Sequence, residues 1–202
     1  FSEYGEMKAC FRFGGSQYVP RSRINVQVNF AYVSNSVVHS VVIGDTESKS
    51  VVLSGVGMSE NDAFKVVYNS CEEEALTVGN VEVEQNRMVL RVKLSSADQE
   101  RVRICYLFPN SVFYMLTEIE ESETPYVMLV KDVRTFSGAE GYGTSALVAR
   151  AKEYFVTGFG MSDDDVIYFR SDSCVNSEGA FSVVGGMVSY EFNDAGVYFM
   201  CY

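Results

Sequence analysis

Cysteine and histidine are the residue types in this chain best suited to chemistry. The five cysteines lie far apart in sequence and form no Cys-x-x-Cys pair, and there is a single histidine, His39. A zinc site of the usual cysteine and histidine kind is therefore not expected. Widely spaced cysteines instead indicate structural disulfides made in an oxidising compartment, outside the cell or at its surface. The cysteines are Cys10, Cys71, Cys105, Cys174 and Cys201.

Catalysis by a serine or cysteine triad would have to rely on His39 alone. This histidine lies within the apolar run Val37–Val41, and we expect it to be an outward-facing strand residue. No pair of carboxylates can be singled out as an acid and a base in a chain this acidic. We therefore expect no catalytic residues, no activity that depends on His39, and no cofactor.

Two other patterns could bind ligands. Acidic residues cluster at 72–74, 118–123 and 163–165, and Ca²⁺ prefers oxygen ligands such as carboxylates. None of these clusters has the spacing of an EF-hand loop, so we expect a solvated acidic surface, with bound calcium as the alternative. The Gly-x-Gly sequences at 55–57 and 158–160 lack the third glycine of a dinucleotide-binding loop. They predict tight turns or strand corners where the backbone closely approaches another segment.

Charge and hydropathy argue against several classes of partner. The formal net charge of −11 at pH 7 repels nucleic acid and anionic membranes. No apolar run reaches the roughly 18 residues that a membrane-spanning helix needs, so membrane insertion is not expected. The chain has no Asn-x-Ser/Thr sequon, whereas its many Ser and Thr residues leave O-linked glycan open.

An internal repeat organises the chain. The hexapeptide SGVGMS at 54–59 recurs as TGFGMS at 157–162. An aspartate and then a cysteine follow each copy at the same spacing, and a Cys-Tyr pair closes each copy. The equivalent residues are Asp62 and Asp165, Cys71 and Cys174, Cys105 and Cys201, and Tyr106 and Tyr202.

A third match concerns the N-terminal residues. Residues 10–18 match residues 105–113 at a cysteine, a serine and three aromatic positions. Residues 1–19 therefore resemble the closing piece of a module whose body is absent. The second copy stops at Tyr202, whereas the first copy continues to Leu116. We expect a chain that is out of phase with its own repeat. It would carry an additional closing segment at its start, and its second copy would lack the counterpart of the residues that lead to Leu116 in the first.

The residue pattern predicts an all-β fold. Residues 24–30 and 81–93 alternate apolar and polar side chains, as half-buried strands do. Residues 144–155 have a composition that favours a helix. We nevertheless assign them to a strand, because the repeat aligns them with the valine-rich residues 40–53.

Each copy combines about seven short strands with two distant cysteines, which predicts a β-sandwich stapled by a disulfide. The chain lacks the tryptophan of a true immunoglobulin domain, so the prediction is immunoglobulin-like. We predict a donor-like segment at 1–19 and two tandem modules at 20–116 and 117–202.

The Gly-x-Gly-Met-Ser element, the aspartate three residues later and the closing Cys-Tyr pair together resemble a known family. They are similar to tandem immunoglobulin-like repeats of extracellular filament and surface proteins of aquatic microbial eukaryotes. The match covers nearly the whole chain. The resemblance implies an extracellular, assembled and non-catalytic protein, and it supplies no catalytic residues.

The leading functional hypothesis is a protomer of a head-to-tail fibre. Segment 1–19 would complete a sheet in the second module of a neighbour by β-strand addition, and the non-closing contact would build a filament. Cys10 would be an intermolecular or free thiol. One alternative is a fragment of a longer tandem surface or adhesion protein, and another is a receptor or adhesin that binds a ligand through its loops. The residues expected at the contact between protomers are Phe11, Phe13, Tyr18 and Tyr202.

The repeat makes a direct prediction about disulfides. Cys71 should be bonded to Cys105 and Cys174 to Cys201, because both pairs occupy equivalent positions in the two copies. Peptide mapping under non-reducing conditions measures this directly. A peptide that links Cys71 to Cys174 would contradict the division into two modules.

Overall fold

The computed structural model describes residues 5–11, 14, 19–34, 39–45, 47–118, 123–138, 144–172, 174 and 180–202. Every regular element in this part of the chain is a β-strand, which confirms the predicted all-β class. The chain divides into two compact units, Phe1–Leu129 and Val130–Tyr202. Each unit is described by itself below.

The first unit contains a hairpin and two larger sets of paired strands. Strands β1 and β2 form a two-stranded sheet, and β3, β5, β9 and β8 form a sheet in that order. A second set runs β7-β6-β10, and the far edge of β10 pairs with β11 and with the start of β12. The strands are β1 Gly5–Phe11, β2 Val19–Val28, β3 Phe30–Val33, β4 Ser40–Val42, β5 Lys49–Val56, β6 Ala63–Val67, β7 Thr77–Asn80, β8 Glu82–Glu84, β9 Arg87–Val92, β10 Arg101–Leu107, β11 Tyr114–Met115 and β12 Val127–Gly138.

Alternation of side chains along the strands builds the core of the first unit. In β5, Val51 and Leu53 are buried while their neighbours are partly exposed, as the two-residue period of a strand requires. Valine is the commonest buried residue of this unit, because β-branched side chains pack well on a pleated surface. Strand β10 is buried more continuously, from Ile104 to Tyr106, and has strands on both of its edges.

The second unit also consists of two sets of paired strands, with fewer strands than the first unit. The later part of β12 pairs with β13, which pairs with β16, and a second sheet runs β15-β14-β17. The core residues come from both sheets and include Tyr154 of β13 and Ile167 of β14. The strands are β13 Ala151–Phe159, β14 Val166–Arg170, β15 Phe181–Ser182, β16 Met187–Glu191 and β17 Phe199–Cys201.

Strand registers in the two units match residue by residue. In the first unit Cys105 of β10 faces Lys65 of β6, and in the second unit Cys201 of β17 faces Tyr168 of β14. These positions differ by 201 − 105 = 96 and 168 − 65 = 103, the same offsets that relate the repeated cysteine pairs in the sequence. The sequence repeat is therefore also a repeat of strand pairing.

The β1–β2 hairpin has the register of the β10–β12 pair. Met7 faces Val26, and Val102 faces Met128. The offsets are 102 − 7 = 95, which also relates Cys10 to Cys105, and 128 − 26 = 102. Within this chain, β1 thus pairs with β2 in the way that β10 pairs with β12.

Two details differ from the sequence-based expectations. Residues 144–150 lie outside the strands, and β13 begins only at Ala151, because Ala149 takes a left-handed backbone conformation with φ of 56°. The two units divide after Leu129, whereas the repeat placed its boundary after Leu116. Thr117 and Leu129 both bond to the first unit, since Thr117 accepts a hydrogen bond from Val33 and Leu129 pairs with Arg101.

Candidate functional site

The closing strand of each unit carries a disulfide cysteine. The structure bonds Cys71 to Cys105 and Cys174 to Cys201, with Cα–Cα separations of 5.7 and 5.5 Å. Cys105 and Cys201 are both buried. Each disulfide ties the closing strand, β10 or β17, to the loop that follows the strand paired with it. Two disulfides indicate folding in an oxidising compartment.

A carboxylate lies beside each closing strand, and the one in the first unit is buried. Asp62 is fully buried and comes just before β6. Its Oδ2 accepts hydrogen bonds from the backbone N–H of Ser59 at 2.7 Å and from the hydroxyl of Tyr106 at 2.5 Å. Its Oδ1 accepts the Ser59 hydroxyl at 3.0 Å. Three donors thus satisfy the side-chain oxygens of Asp62, as burial of a polar group requires.

The second unit builds the same arrangement around Asp165. Its Oδ2 accepts hydrogen bonds from the backbone N–H of Ser162 at 2.7 Å and from the hydroxyl of Tyr202 at 2.8 Å. Lys131 forms an ion pair with the other oxygen. Burial disfavours the charged form, but the hydrogen bonds from Lys131, Ser162 and Tyr202 outweigh it and lower the pKa of Asp165.

The tyrosines of these pairs act as hydrogen-bond donors, not as proton carriers. Burial, followed by the hydrogen bond to Asp62, raises the pKa of Tyr106 far above its ordinary value. Burial and the contact with Asp165 raise the pKa of Tyr202 in the same way. Both phenols therefore stay protonated at neutral pH. Each tyrosine is thus suited to holding its strand in place by donating a hydrogen bond to the aspartate.

His39 is not the outward-facing strand residue that its sequence context predicted. It precedes β4, is half-buried, and its Nδ1 makes a short hydrogen bond with the hydroxyl of Tyr126. Burial raises the pKa of Tyr126 to about 12. The backbone oxygen of His39 accepts a hydrogen bond from Leu129 at 3.0 Å. The histidine thus helps to hold the beginning of β12 in the first unit.

The acidic clusters form no recognisable cation site in the part of the chain that the structure describes. Among those residues no group of three or more His, Cys, Asp or Glu side chains could hold a metal ion. Part of the 118–123 cluster lies outside the described residues. In the first cluster, Glu73 accepts a hydrogen bond from the backbone of Asn69, which is a local turn contact. The described residues also contain no helix that is long and apolar enough to cross a membrane.

The repeated glycines lie where the backbone of another strand passes close by. A Cβ atom on Gly55 would lie 2.1 Å from the carbonyl oxygen of Phe30, and one on Gly158 would lie 1.8 Å from that of Asp132. Only a residue without a side chain fits at these two crossings. The Gly-x-Gly element is thus a strand contact, as its sequence predicted, and not a loop for phosphate.

The residues predicted at the contact between protomers have different positions. Tyr202 donates its hydroxyl to Asp165 within its own unit. Cys10 and Phe11 lie in β1, whereas Phe13 and Tyr18 are outside the described residues. The contact itself stays a prediction.

The aspartate–tyrosine hydrogen bond is the feature that sequence reasoning missed. Both partners are identical in the two copies, so their co-occurrence was the available signal. No protein-family model, curated protein or solved structure matches this chain. The site therefore has to be interpreted from its own geometry.

Removing the tyrosine hydroxyls should affect the two units unequally. Tyr106→Phe leaves the fully buried Asp62 one donor short, so we expect the first unit to lose about 2–3 kcal/mol of stability. Tyr202→Phe should cost about 1 kcal/mol, because Asp165 keeps Lys131 and is nearer to solvent. Hydrogen exchange of the β10 and β17 amides measures each unit separately. Tyr32→Phe is the control, and equal losses in both units would contradict the expectation.

The Asp165 carboxylate should make the second unit sensitive to acid. A carboxyl group with a lowered pKa stabilises the folded state above its ordinary pKa of 3.8, and this contribution disappears as pH falls through the folded value. The stability difference between the wild type and Asp165→Asn should therefore be full at pH 7 and shrink below about pH 4. Carbon-13 titration of the carboxyl group measures the pKa directly. A value above 3.8 would contradict the assignment, and Lys131→Met should raise the pKa.

Proposed function

We propose that this chain is a non-enzymatic structural protein of an extracellular assembly, built from disulfide-stapled immunoglobulin-like modules joined end to end by strand pairing. One observation carries the proposal. In both units, the most strongly repeated residues serve to hold strands together. They are the glycines, the aspartates, the closing tyrosines and the paired cysteines. A chain that repeats its scaffold in this way is suited to bearing load or presenting a surface.

Strand pairing within the first unit suggests how a closing strand takes up a further strand. The far edge of β10 pairs with residues 127–129 of β12, and β12 continues as the first strand of the second unit. The same register in the β1–β2 hairpin makes β1 the equivalent of the closing strands β10 and β17. Strand β17 pairs with β14 alone in the part of the chain that the structure describes. This edge offers backbone groups to another strand.

A fibre made of copies of this chain is supported by the side chains next to that edge. Val197 and Phe199 are 82% and 56% exposed, in the positions where the first unit has Arg101 and Arg103. Exposed apolar side chains beside an open strand edge favour association. Strand β1 pairs with β2 in its own chain, which counts against donation of residues 1–19 in its simplest form. A fibre can instead form by strand exchange, in which β17 of a neighbour replaces β1 as the partner of β2. The exchanged pair keeps the register of the β1–β2 pair.

A longer tandem array is the second candidate, and the β1–β2 register favours it. If β1 closes a module as β10 does, its Cys10 is equivalent to Cys105 and needs a partner equivalent to Cys71. That partner would belong to a further module of the same protein. In this case the modules follow one another along one chain, and copies need not associate.

The fibre requires copies of the chain to associate through the β17 edge in solution, whereas the array does not. For the fibre, sedimentation and electron microscopy of the purified chain should show end-to-end oligomers that lengthen with concentration. The double variant Val197→Arg with Phe199→Arg places the positive charges of Arg101 and Arg103 at the equivalent positions of the second unit. This variant should be monomeric, with the unfolding midpoint of the wild type. Val112→Arg, at a valine that is 81% exposed in the first unit, is the matched control and should still assemble.

A chain that stays monomeric at high concentration, or a double variant that still forms oligomers, would contradict the fibre. The array is tested on material from its natural source by peptide mapping under non-reducing conditions. There Cys10 should be bonded to a cysteine of another module, and a reduced Cys10 would contradict the array.

A further inference from the structure

A cavity of about 520 Å³ lies within the second unit. Four large apolar side chains of its wall pack against the core of this unit and are nevertheless partly exposed. They are Phe136, Phe192, Tyr198 and Met200. In the part of the chain that the structure describes, the core of the second unit is therefore open at this cavity.

The equivalent positions of the first unit are covered. Strand registers relate the two units at offsets of 136 − 33 = 103, 192 − 94 = 98 and 198 − 102 = 96 residues. Each equivalent residue is at most 1% exposed, whereas its counterpart in the second unit is partly exposed. In the order in which the wall residues were given, the equivalents are Val33, Leu94, Val102 and Ile104.

Segments that pair with the far edge of β10 provide this cover in the first unit. Met128 faces Val102 in the β10–β12 pair, and Leu116 donates its backbone N–H to Ile104 at 2.9 Å. Leu116, Tyr126 and Met128 are themselves at most 1% exposed. The core of the first unit is thus completed by side chains of strands that pair with its closing strand.

Strand β2 has the register and the sequence of such a completing strand. It corresponds to the start of β12 at an offset of 128 − 26 = 102 residues, so Ile24 and Val26 hold the positions of Tyr126 and Met128. Residues 24–28 read Ile-Asn-Val-Gln-Val, the alternation of a strand that buries one face. Another copy of β2 could therefore complete the second unit as β12 completes the first.

The sizes of the side chains favour β2 over a second β12. Three wall residues are larger than their equivalents, with Phe, Phe and Tyr at 136, 192 and 198 in place of Val, Leu and Val. Conversely, Ile24 and Val26 are smaller than the Tyr126 and Met128 whose positions they hold. Dense packing requires that a larger wall be matched by a smaller insert.

We propose that the cavity receives Ile24 and Val26 of another copy of this chain, whose β2 pairs with β17. The inference rests on the proposed fibre and names the side chains that join its copies. When β17 replaces β1 as the partner of β2, the shared register places Tyr198 opposite Val26, as Val102 lies opposite Met128. Backbone hydrogen bonds hold the added strand, and the cavity selects its side chains.

A synthetic peptide of residues 21–30, added to the whole chain, tests the inference. The peptide should shift the methyl NMR signal of Met200, which lines the cavity, and leave that of Met187, which does not. Val26→Arg in the peptide should weaken binding about tenfold or more, because it brings a charge into an apolar core. Gln27→Arg is the matched control and should bind within about twofold of the original peptide, because adjacent strand residues lie on opposite faces.

The same two substitutions in the whole chain separate this inference from the fibre itself. Val26→Arg should abolish the concentration-dependent oligomers, and Gln27→Arg should keep them. Oligomers of the Val26→Arg chain would overturn the inference and leave the fibre standing, as would a peptide that leaves Met200 unshifted or two peptide variants that bind alike. A chain that stays monomeric yet binds the peptide at Met200 would overturn the fibre and support the cavity as the site for this strand.

Discussion

The hydrogen bond between a closing-strand tyrosine and an aspartate recurs in both units, and in the first unit the aspartate is fully buried. Asp62 cannot be buried without donors, and its strongest side-chain donor, Tyr106, lies on β10, 44 residues away. The carboxylate therefore forces β10 to lie beside β6 with Tyr106 directed at the Asp62 loop. The disulfide of Cys105, the residue next to Tyr106, ties the same strand to Cys71 in the loop after β6. The same pair of constraints recurs at Tyr202 and Cys201.

These constraints explain which parts of the fold the sequence could predict. The cysteines, glycines and aspartates keep their identities in both copies, so the repeat and the paired cysteines were visible without coordinates. The strand registers were not predicted, but in the structure the β6–β10 and β14–β17 pairs are related by the same offsets as the repeated cysteines. The role of Gly158 could also be predicted from the sequence, because only glycine fits where the backbone of another strand passes so close.

The remaining features depend on contacts between residues that the repeat does not relate. His39 pairs with Tyr126 from 87 residues away, and no sequence pattern connects them. The backbone conformation of Ala149 departs from the strand that alignment with the first copy predicted. The division after Leu129 reflects hydrogen bonds from residues 117–129 back to the first unit, which a comparison of cysteine spacings does not show.

The same constraints also explain why the second unit is free to differ. The disulfides and the two aspartates act on the strand pair β6 and β10 or β14 and β17. The facing strands β5 and β13 carry neither kind of group, so Val51 can be replaced by Tyr154 without disturbing the closing strand. Loop length after β9 and β16 is similarly unconstrained. A repeat held together by one of its sheets can therefore keep its fold while side chains and loop lengths change elsewhere.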